Sequence, residues 1–227
     1  VTPRSDAVGI VLAGGRSSRL TVGGLAHLPP GGKGLLELGG STFLERIVTT
    51  LAAELGRVIV VAAPGQPLPA LPAGVEIVHD TIPGAGPLAG IRDGLEAATH
   101  HVPCPRGAFL CSCDVPLLRR EVVRLLVDRL LATGAAWAVP LVDGHPQVLV
   151  SAVSVHMRPR IEAQLAAGRR DLRGLVSRLH SESPAAVEQV SMAELACVDP
   201  ALESFMDIDT PADLARLVAR GISPSAG

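Results

Sequence analysis

The sequence predicts an α/β protein, and three observations carry that prediction. Short apolar runs recur along the 227 residues, and several end in glycine or proline. Between them lie segments whose apolar residues return at helical spacing, and most intervals are long enough for a crossover helix. Strands alternating with helices in this way give a mostly parallel sheet covered on both faces. With no internal repeat and no long linker, residues 1–222 are expected to form one Rossmann-like three-layer α/β/α domain, and 223–227 a disordered tail.

Taken in order, Val8 to Leu12 is a continuous apolar run that breaks at once into Gly14-Gly15, as a buried parallel strand feeding a loop does. From Phe43 to Leu55, the residues Phe43, Leu44, Ile47, Val48, Leu51 and Leu55 mark one helical face, with Ser41-Thr42 as the cap. Strands follow at Val58 to Ala62 and Val75 to Val78, then a helix over about Leu88 to Ala98. Ala108 to Cys113 is a further strand, and it leads through Asp114-Val115-Pro116 to a helix spanning Arg119 to Leu131. After Gly134 the rhythm changes. Ala135 to Val142 and Gln147 to Val150 flank a tight turn, Asp143-Gly144-His145-Pro146, and read as a small antiparallel addition. Helices near Val155 to Ala167 and Leu172 to Leu179, a strand at Val187 to Val190, and a helix starting at Thr210-Pro211 complete the pattern.

Composition narrows the function classes. A net charge of −2, three Phe, one Trp and no Tyr provide neither the basic footprint nor the stacking platforms of a nucleic-acid binder. No uncharged run is long enough to span a membrane, and the first residues lack an apolar leader, so a soluble cytoplasmic protein is expected. Cys104, Cys111, Cys113 and Cys197 then read as reduced thiols. Zinc is disfavoured, because Cys111-x-Cys113 lacks a second half-site.

Lys33 is the only lysine; the other nineteen of the 20 basic residues are arginine. A compact ammonium at this position, downstream of a glycine loop that follows a strand, points to phosphate chemistry that a planar guanidinium does not replace. The loop is neither a Walker motif, since His27 stands where the first glycine belongs and Gly34 follows Lys33, nor the G-x-G-x-x-G fingerprint.

Leu12-Ala13-Gly14-Gly15-x-Ser17-x-Arg19, then Lys33 and Leu35-Leu36-x-Leu38-Gly39-Gly40, resembles the signature of nucleotidyltransferases that use a nucleoside triphosphate. Asp80-x-x-Pro83-Gly84-x-Gly86-Pro87-Leu88-Ala89-Gly90 and Cys113-Asp114-x-Pro116 are similar to the molybdenum cofactor guanylyltransferase branch. The resemblance runs from about Val8 to Asp213. It implies GMP transfer from GTP to molybdopterin with release of pyrophosphate, Mg²⁺ as cofactor, and molybdoenzyme-maturation proteins as further partners. It also implies that Leu12, Ala13, Gly14, Gly15, Arg19 and Asp80 meet the nucleotide. Lys33 and Asp114 become the catalytic pair and also contact the nucleotide, with Asp114 and Asp207 as metal ligands. Arg16 adds charge near the triphosphate or is a solvated loop arginine, and His145 and Gln147 lie in a turn that faces the acceptor.

Local alternatives stand beside these roles. Asp114 also suits a helix N-cap, Asp80 a turn before Pro83, and Asp209 and Thr210 a cap for the last helix. Two departures from the family pattern matter. Relatives carry their lysine sooner, after an aspartate, whereas here Leu20 to Gly32 intervene and Gly32 precedes Lys33. The asparagine that some relatives carry after the second strand is absent from Val61-Ala62-Ala63-Pro64. A cytidylyltransferase for the same cofactor, a sugar-phosphate nucleotidyltransferase and a non-catalytic nucleotide-binding protein remain the rival readings.

Overall fold

The computed structural model describes residues 4–14, 29, 31–82, 84–208 and 210–219. It begins with β1 (Ala7–Leu12), followed after the loop by a 3₁₀ turn (Gly32–Leu35), a small ladder of β2 (Glu37–Leu38) with β3 (Ser41–Thr42), and α1 (Phe43–Leu55). Then come β4 (Val58–Ala62), β5 (Val75–His79), α2 (Pro87–Thr99), β6 (Gly107–Ser112) and α3 (Arg120–Thr133). The last third holds β7 (Trp137–Val142), β8 (His145–Pro146), β9 (Val150–Ser154), α4 (Arg158–Ala166), α5 (Leu172–Glu182), β10 (Val187–Val190), α6 (Met192–Val198) and α7 (Pro211–Ala219).

The main sheet runs β10-β7-β9-β6-β1-β4-β5, with β8 paired to β7. β1 pairs in parallel with both β4 and β6, and β4 with β5. β9 alone among the long strands runs backwards, antiparallel to β6 and to β7, while β10 returns in parallel on β7. The chain moves outward from β1 through β4 to β5, then jumps back across β1 to form β6. That reversal is a topological switch point, and in an open α/β sheet a crevice opens there at the carboxyl ends of the strands.

Both faces of β1 are buried, which explains its unbroken apolar run. Ala7 and Val11 pack with Leu44, Ile47, Val48 and Leu51 of α1, while Val8, Ile10 and Leu12 pack with Leu88, Ile91 and Leu95 of α2. α2 approaches closely because Gly94 carries no side chain: a Cβ there would stand 2.6 Å from Ile10 Cγ2. α1 starts where the sequence predicts. Thr42 Oγ1 accepts from Glu45 N at 3.2 Å and Glu45 Oε2 accepts from Thr42 N at 2.7 Å, a reciprocal cap of the kind that stabilises a helix by about 1 kcal/mol.

Two sequence expectations need correcting. The hairpin after Val142 closes over only two pairs, Val142 with His145 and Leu141 with Pro146, and the next strand starts at Val150 instead of Gln147. Gln147 N still donates to Pro140 O at 2.9 Å, and Val148 and Leu149 then turn away from β7. Trp137 Nε1 donates to Ser151 Oγ at 2.9 Å, and that hydroxyl donates to Val148 O at 2.8 Å, so the departure is held by a buried polar chain. The helix expected over Val155 to Ala167 is a 3₁₀ turn, Val155–Met157, followed by α4. α6, which the sequence reading passed over, is capped by the Ser191 and Glu194 pair. The tail, residues 223–227, lies outside the described residues. Among those described, no helix is long and apolar enough to cross a membrane.

Candidate active site

The carboxyl ends of β1 and β6 lie side by side, with Leu12 in register with Ser112. Cys113 N donates to Leu12 O at 3.2 Å, so the backbone stays paired for one more residue before Asp114 turns out of the sheet. Ser112 Oγ donates to Asp114 Oδ1. On the other oxygen, Lys33 Nζ lies 3.5 Å from Asp114 Oδ2. The long loop therefore does bring the only lysine back to the strand end, and its side chain is 10% exposed beside a 22% exposed carboxylate.

The segment from the C-terminal region reaches the same place. Ile208 N donates to Asp114 O at 2.9 Å, and the buried Ile208 side chain packs with Leu38, Phe43 and Leu217. Asp207 is thereby fixed one residue from Asp114's backbone. Ser112, Asp114 and Asp207 share a cleft of about 290 Å³ with Gln147, Arg170 and Arg173. Gln147 lines it at the end of the β7-β8 hairpin, and the two arginines come from the segment that starts α5.

The other sequence-derived positions fall as follows. Leu12 and Ala13 are buried at the end of β1, and Gly14 N donates to Val61 O at 3.3 Å. Asp80 N donates to Ala62 O at 2.9 Å, and Asp80 Oδ1 accepts from Ile82 N at 3.0 Å, the bond of a turn-fixing aspartate. His145 lies in its turn, with Nδ1 2.8 Å from Asp143 O. Thr210 caps α7 with Asp213. Gly15, Arg16, Ser17, Arg19, Pro83 and Asp209 lie outside the described residues.

Cys113 borders the site without serving as a nucleophile. Burial pushes its thiol up to about 12, with Asp114 adding to the rise and Lys33 opposing it, so it stays protonated near neutral pH. Burial also raises Cys111 well above the ordinary thiol value. All four cysteines are free, and among the described residues no group of three or more His, Cys, Asp or Glu gathers. Among the described residues there is thus no closed metal cage. Two hard carboxylates beside open space fit Mg²⁺, which usually keeps waters and substrate phosphate oxygens in its shell.

The family model described as the MobA-like NTP transferase domain matches residues 9–183. The chain belongs to this family. A probable molybdenum cofactor guanylyltransferase from Mycobacterium avium is 38% identical over 168 residues, 74% of this chain and 79% of that protein. Among solved structures, molybdopterin-guanine dinucleotide biosynthesis protein A from Archaeoglobus fulgidus superimposes with a TM-score of 0.71 at 20% identity, over 95% of this chain and 100% of that one. A Mycobacterium tuberculosis protein crystallised in complex with manganese, Rv0371c, has a TM-score of 0.61 at 20% identity and covers 95% and 99% of the two chains. These neighbours share the fold, and in this chain the crevice at the switch point brings together Asp114, Lys33 and Asp207.

Sequence reasoning missed Ser112, Arg170 and Arg173. Ser112 was legible in principle, because it lies two residues before Asp114 on the same strand edge. The run Arg169-Arg170-Asp171-Leu172-Arg173 shows its charge in the sequence but not its direction.

Proposed function

We propose that this chain transfers GMP from GTP to molybdopterin with release of pyrophosphate. The observation that carries the reading is Lys33 returned to within 3.5 Å of Asp114 at the switch point, in a chain whose relatives bear the guanylyltransferase name. Leu12, Ala13 and Gly14 lie at the end of β1 where a nucleotide would enter, and the family resemblance adds Gly15, Arg19 and Asp80 to its contacts.

A phosphate monoester on the acceptor attacks the α-phosphorus of GTP; a P–O bond forms there and the bond to pyrophosphate breaks. The acceptor phosphate has a second pKa of about 6 and is largely ionised near neutral pH, so no general base is required. What remains is alignment and charge. Lys33 meets the negative charge that gathers on the leaving group. Asp114 and Asp207 would hold Mg²⁺, which neutralises phosphate oxygens as they take up charge. Ser112 orients Asp114 by its hydrogen bond, and the link from Ile208 holds Asp207 beside it. Arg170 and Arg173 give the open side of the cleft the positive charge an anionic acceptor needs. With this reading go a cytoplasmic location and onward transfer of the product to molybdoenzyme-maturation proteins.

Pyrophosphate release by the purified protein, measured with Mg²⁺ and molybdopterin and comparing GTP, CTP and ATP, tests it. Release with GTP alone is expected. Release with CTP instead moves the protein to the cytidylyl class, and none with any nucleotide overturns the enzymatic reading.

A further inference from the structure

One side chain outside the catalytic set is tied to both limbs of the long loop. Gln66 lies in the turn after β4, and its carboxamide is used on every side. Nε2 donates to Ala13 O at 2.9 Å and to Gly31 O at 2.9 Å, while Oε1 accepts from Ala63 N at 2.9 Å. Its backbone N also donates to Ala63 O at 3.0 Å, which closes the turn that presents the side chain. Ala13 is the last buried residue before the loop leaves the sheet. Gly31 is the residue that starts the turn carrying Lys33. A single amide group therefore joins the departing and returning ends of a segment with seventeen residues between Ala13 and Gly31.

A second observation, independent of the amide, shows that the returning limb is seated on this same turn. Gly31 is buried, and a Cβ added to it would stand 2.5 Å from Pro67 O and 2.3 Å from Leu35 Cδ1. There is no room for any side chain between the limb and the turn. Closing a longer loop costs more conformational entropy, and that cost falls on whatever holds its ends together. Cross-links at the loop's ends offset it without constraining what lies between.

We propose that Gln66 is a positioning residue for Lys33: it latches the carbonyls of Ala13 and Gly31, and the latch sets where the lysine ammonium stands relative to Asp114. Gln66 acts through Lys33 and touches no reacting atom. The inference deepens the nucleotidyltransferase reading and rests on it for its kinetic consequence, but its structural content stands apart from any activity. It also gives the inserted length of the loop a compensating contact, since the lysine is returned by a bond that the turn after β4 provides.

Because Lys33 carries the only side-chain amine in the sequence, its position can be read chemically. The experiment measures the rate of Lys33 acylation by a small acetyl N-hydroxysuccinimide ester, with peptide mass spectrometry, in the wild type, Gln66→Ala, Gln66→Glu and Gly31→Ala. Gln66→Glu is isosteric, keeps an acceptor for Ala63 N, and loses both donated bonds. Thermal melts confirm that each variant compared is folded. Loss of the two donated bonds is expected to raise Lys33 acylation about tenfold in Gln66→Ala and in Gln66→Glu, with the seating variant Gly31→Ala moving in the same direction. If the wild type turns over, kcat for pyrophosphate release falls in the two Gln66 variants while the acceptor KM is unchanged. A structural role alone would lower the melting midpoint and leave the lysine's reactivity where it was. Unchanged acylation in folded Gln66→Glu and Gly31→Ala overturns the latch, whatever the activity. A changed preference between GTP and CTP in Gln66→Ala with unchanged acylation also overturns it, in favour of a base contact. Raised acylation in a protein that turns over no nucleotide supports the latch and overturns only the enzymatic reading.

Discussion

On the β1-β4-β5 side of β6 every strand is parallel, and the crevice is entered by strand ends; on the β9-β7-β10 side one strand runs backwards, and the crevice is lined by side chains from irregular segments. The two sides meet at Asp114. On the first, Leu12, Ala13 and Gly14, the proposed nucleotide positions, are fixed by main-chain bonds to Val61 and Cys113 and by Gln66 Nε2 on Ala13 O. On the second, Gln147, Arg170 and Arg173 offer long polar side chains from the end of the β7-β8 hairpin and from the start of α5. Under the proposed function, a rigid strand end suits the triphosphate, and long side chains on loops suit the anionic acceptor.

The largest effect should come from the residue both sides share. Asp114→Ala removes the acceptor of Ser112 Oγ and the partner of Lys33, and should lower pyrophosphate release by at least about 10³-fold, since it takes away the proposed metal ligand. The fold should survive, because Asp114 faces the cleft and its main-chain bond to Ile208 N does not need the side chain. Release at a rate near that of the wild type would take Asp114 out of the mechanism and break the comparison at its joint.

How much of this was readable beforehand follows the same division. β1, β4, β6 and α1 were legible because burial on both faces forces continuous apolar runs, and because Thr42 and Glu45 mark the helix start by type and spacing. The placement of Leu12 to Gly14 and Asp114 at strand ends was legible because strand ends are sequence landmarks, and the return of Asp207 to Asp114 through its resemblance to a family segment. Lys33 stood out by being alone, yet only the folded chain shows that it returns to Asp114. Gln66 was illegible because an amide bonded to two distant carbonyls leaves no periodic trace. Arg170 and Arg173 were hidden for a related reason: charge at the start of a helix reads as a solvated face until the packing of α5 shows which way it looks. The early end of the β7 hairpin depends on the bond from Trp137 to Ser151, a tertiary contact with no local signature.

A smaller effect tests the side-chain half directly. If Arg170 and Arg173 receive the acceptor, then Arg170→Ala and Arg173→Ala should each raise the KM for molybdopterin about tenfold, the scale of one lost charge-assisted hydrogen bond, while the KM for GTP stays the same. Steady-state kinetics varying one substrate at a time decides it. A rise in the nucleotide KM instead would mean that the triphosphate, and not the acceptor, occupies this side, and the division of labour would reverse.

The smallest kinetic effect is expected from a contact that joins the two halves on one face of the sheet, away from the crevice. Glu54 of α1 is nearly fully buried, and Arg124 of α3 holds it through two bonds, Nε to Oε1 and Nη2 to Oε2, each 2.8 Å, with Arg120 Nη2 3.5 Å from Oε2. The hydrogen bond from Arg124 is the main cause that lowers the carboxyl's pKa from its ordinary value of 4.5. A lowered folded-state pKa contributes stability that is present above the unfolded pKa and disappears as pH falls through the folded one. Glu54→Gln should therefore melt below the wild type at neutral pH, and the gap should close as the pH drops below the carboxylate range. Its kcat and both KM values should stay at wild-type levels, because the pair joins two helices on one face of the sheet and reaches neither Lys33 nor Asp114. Melting curves across the acid range, paired with kinetics at neutral pH, read both halves of the expectation. A gap that persists in acid would assign the destabilisation to lost packing, and a changed kcat would show that the α1 and α3 layer helps to set the crevice geometry.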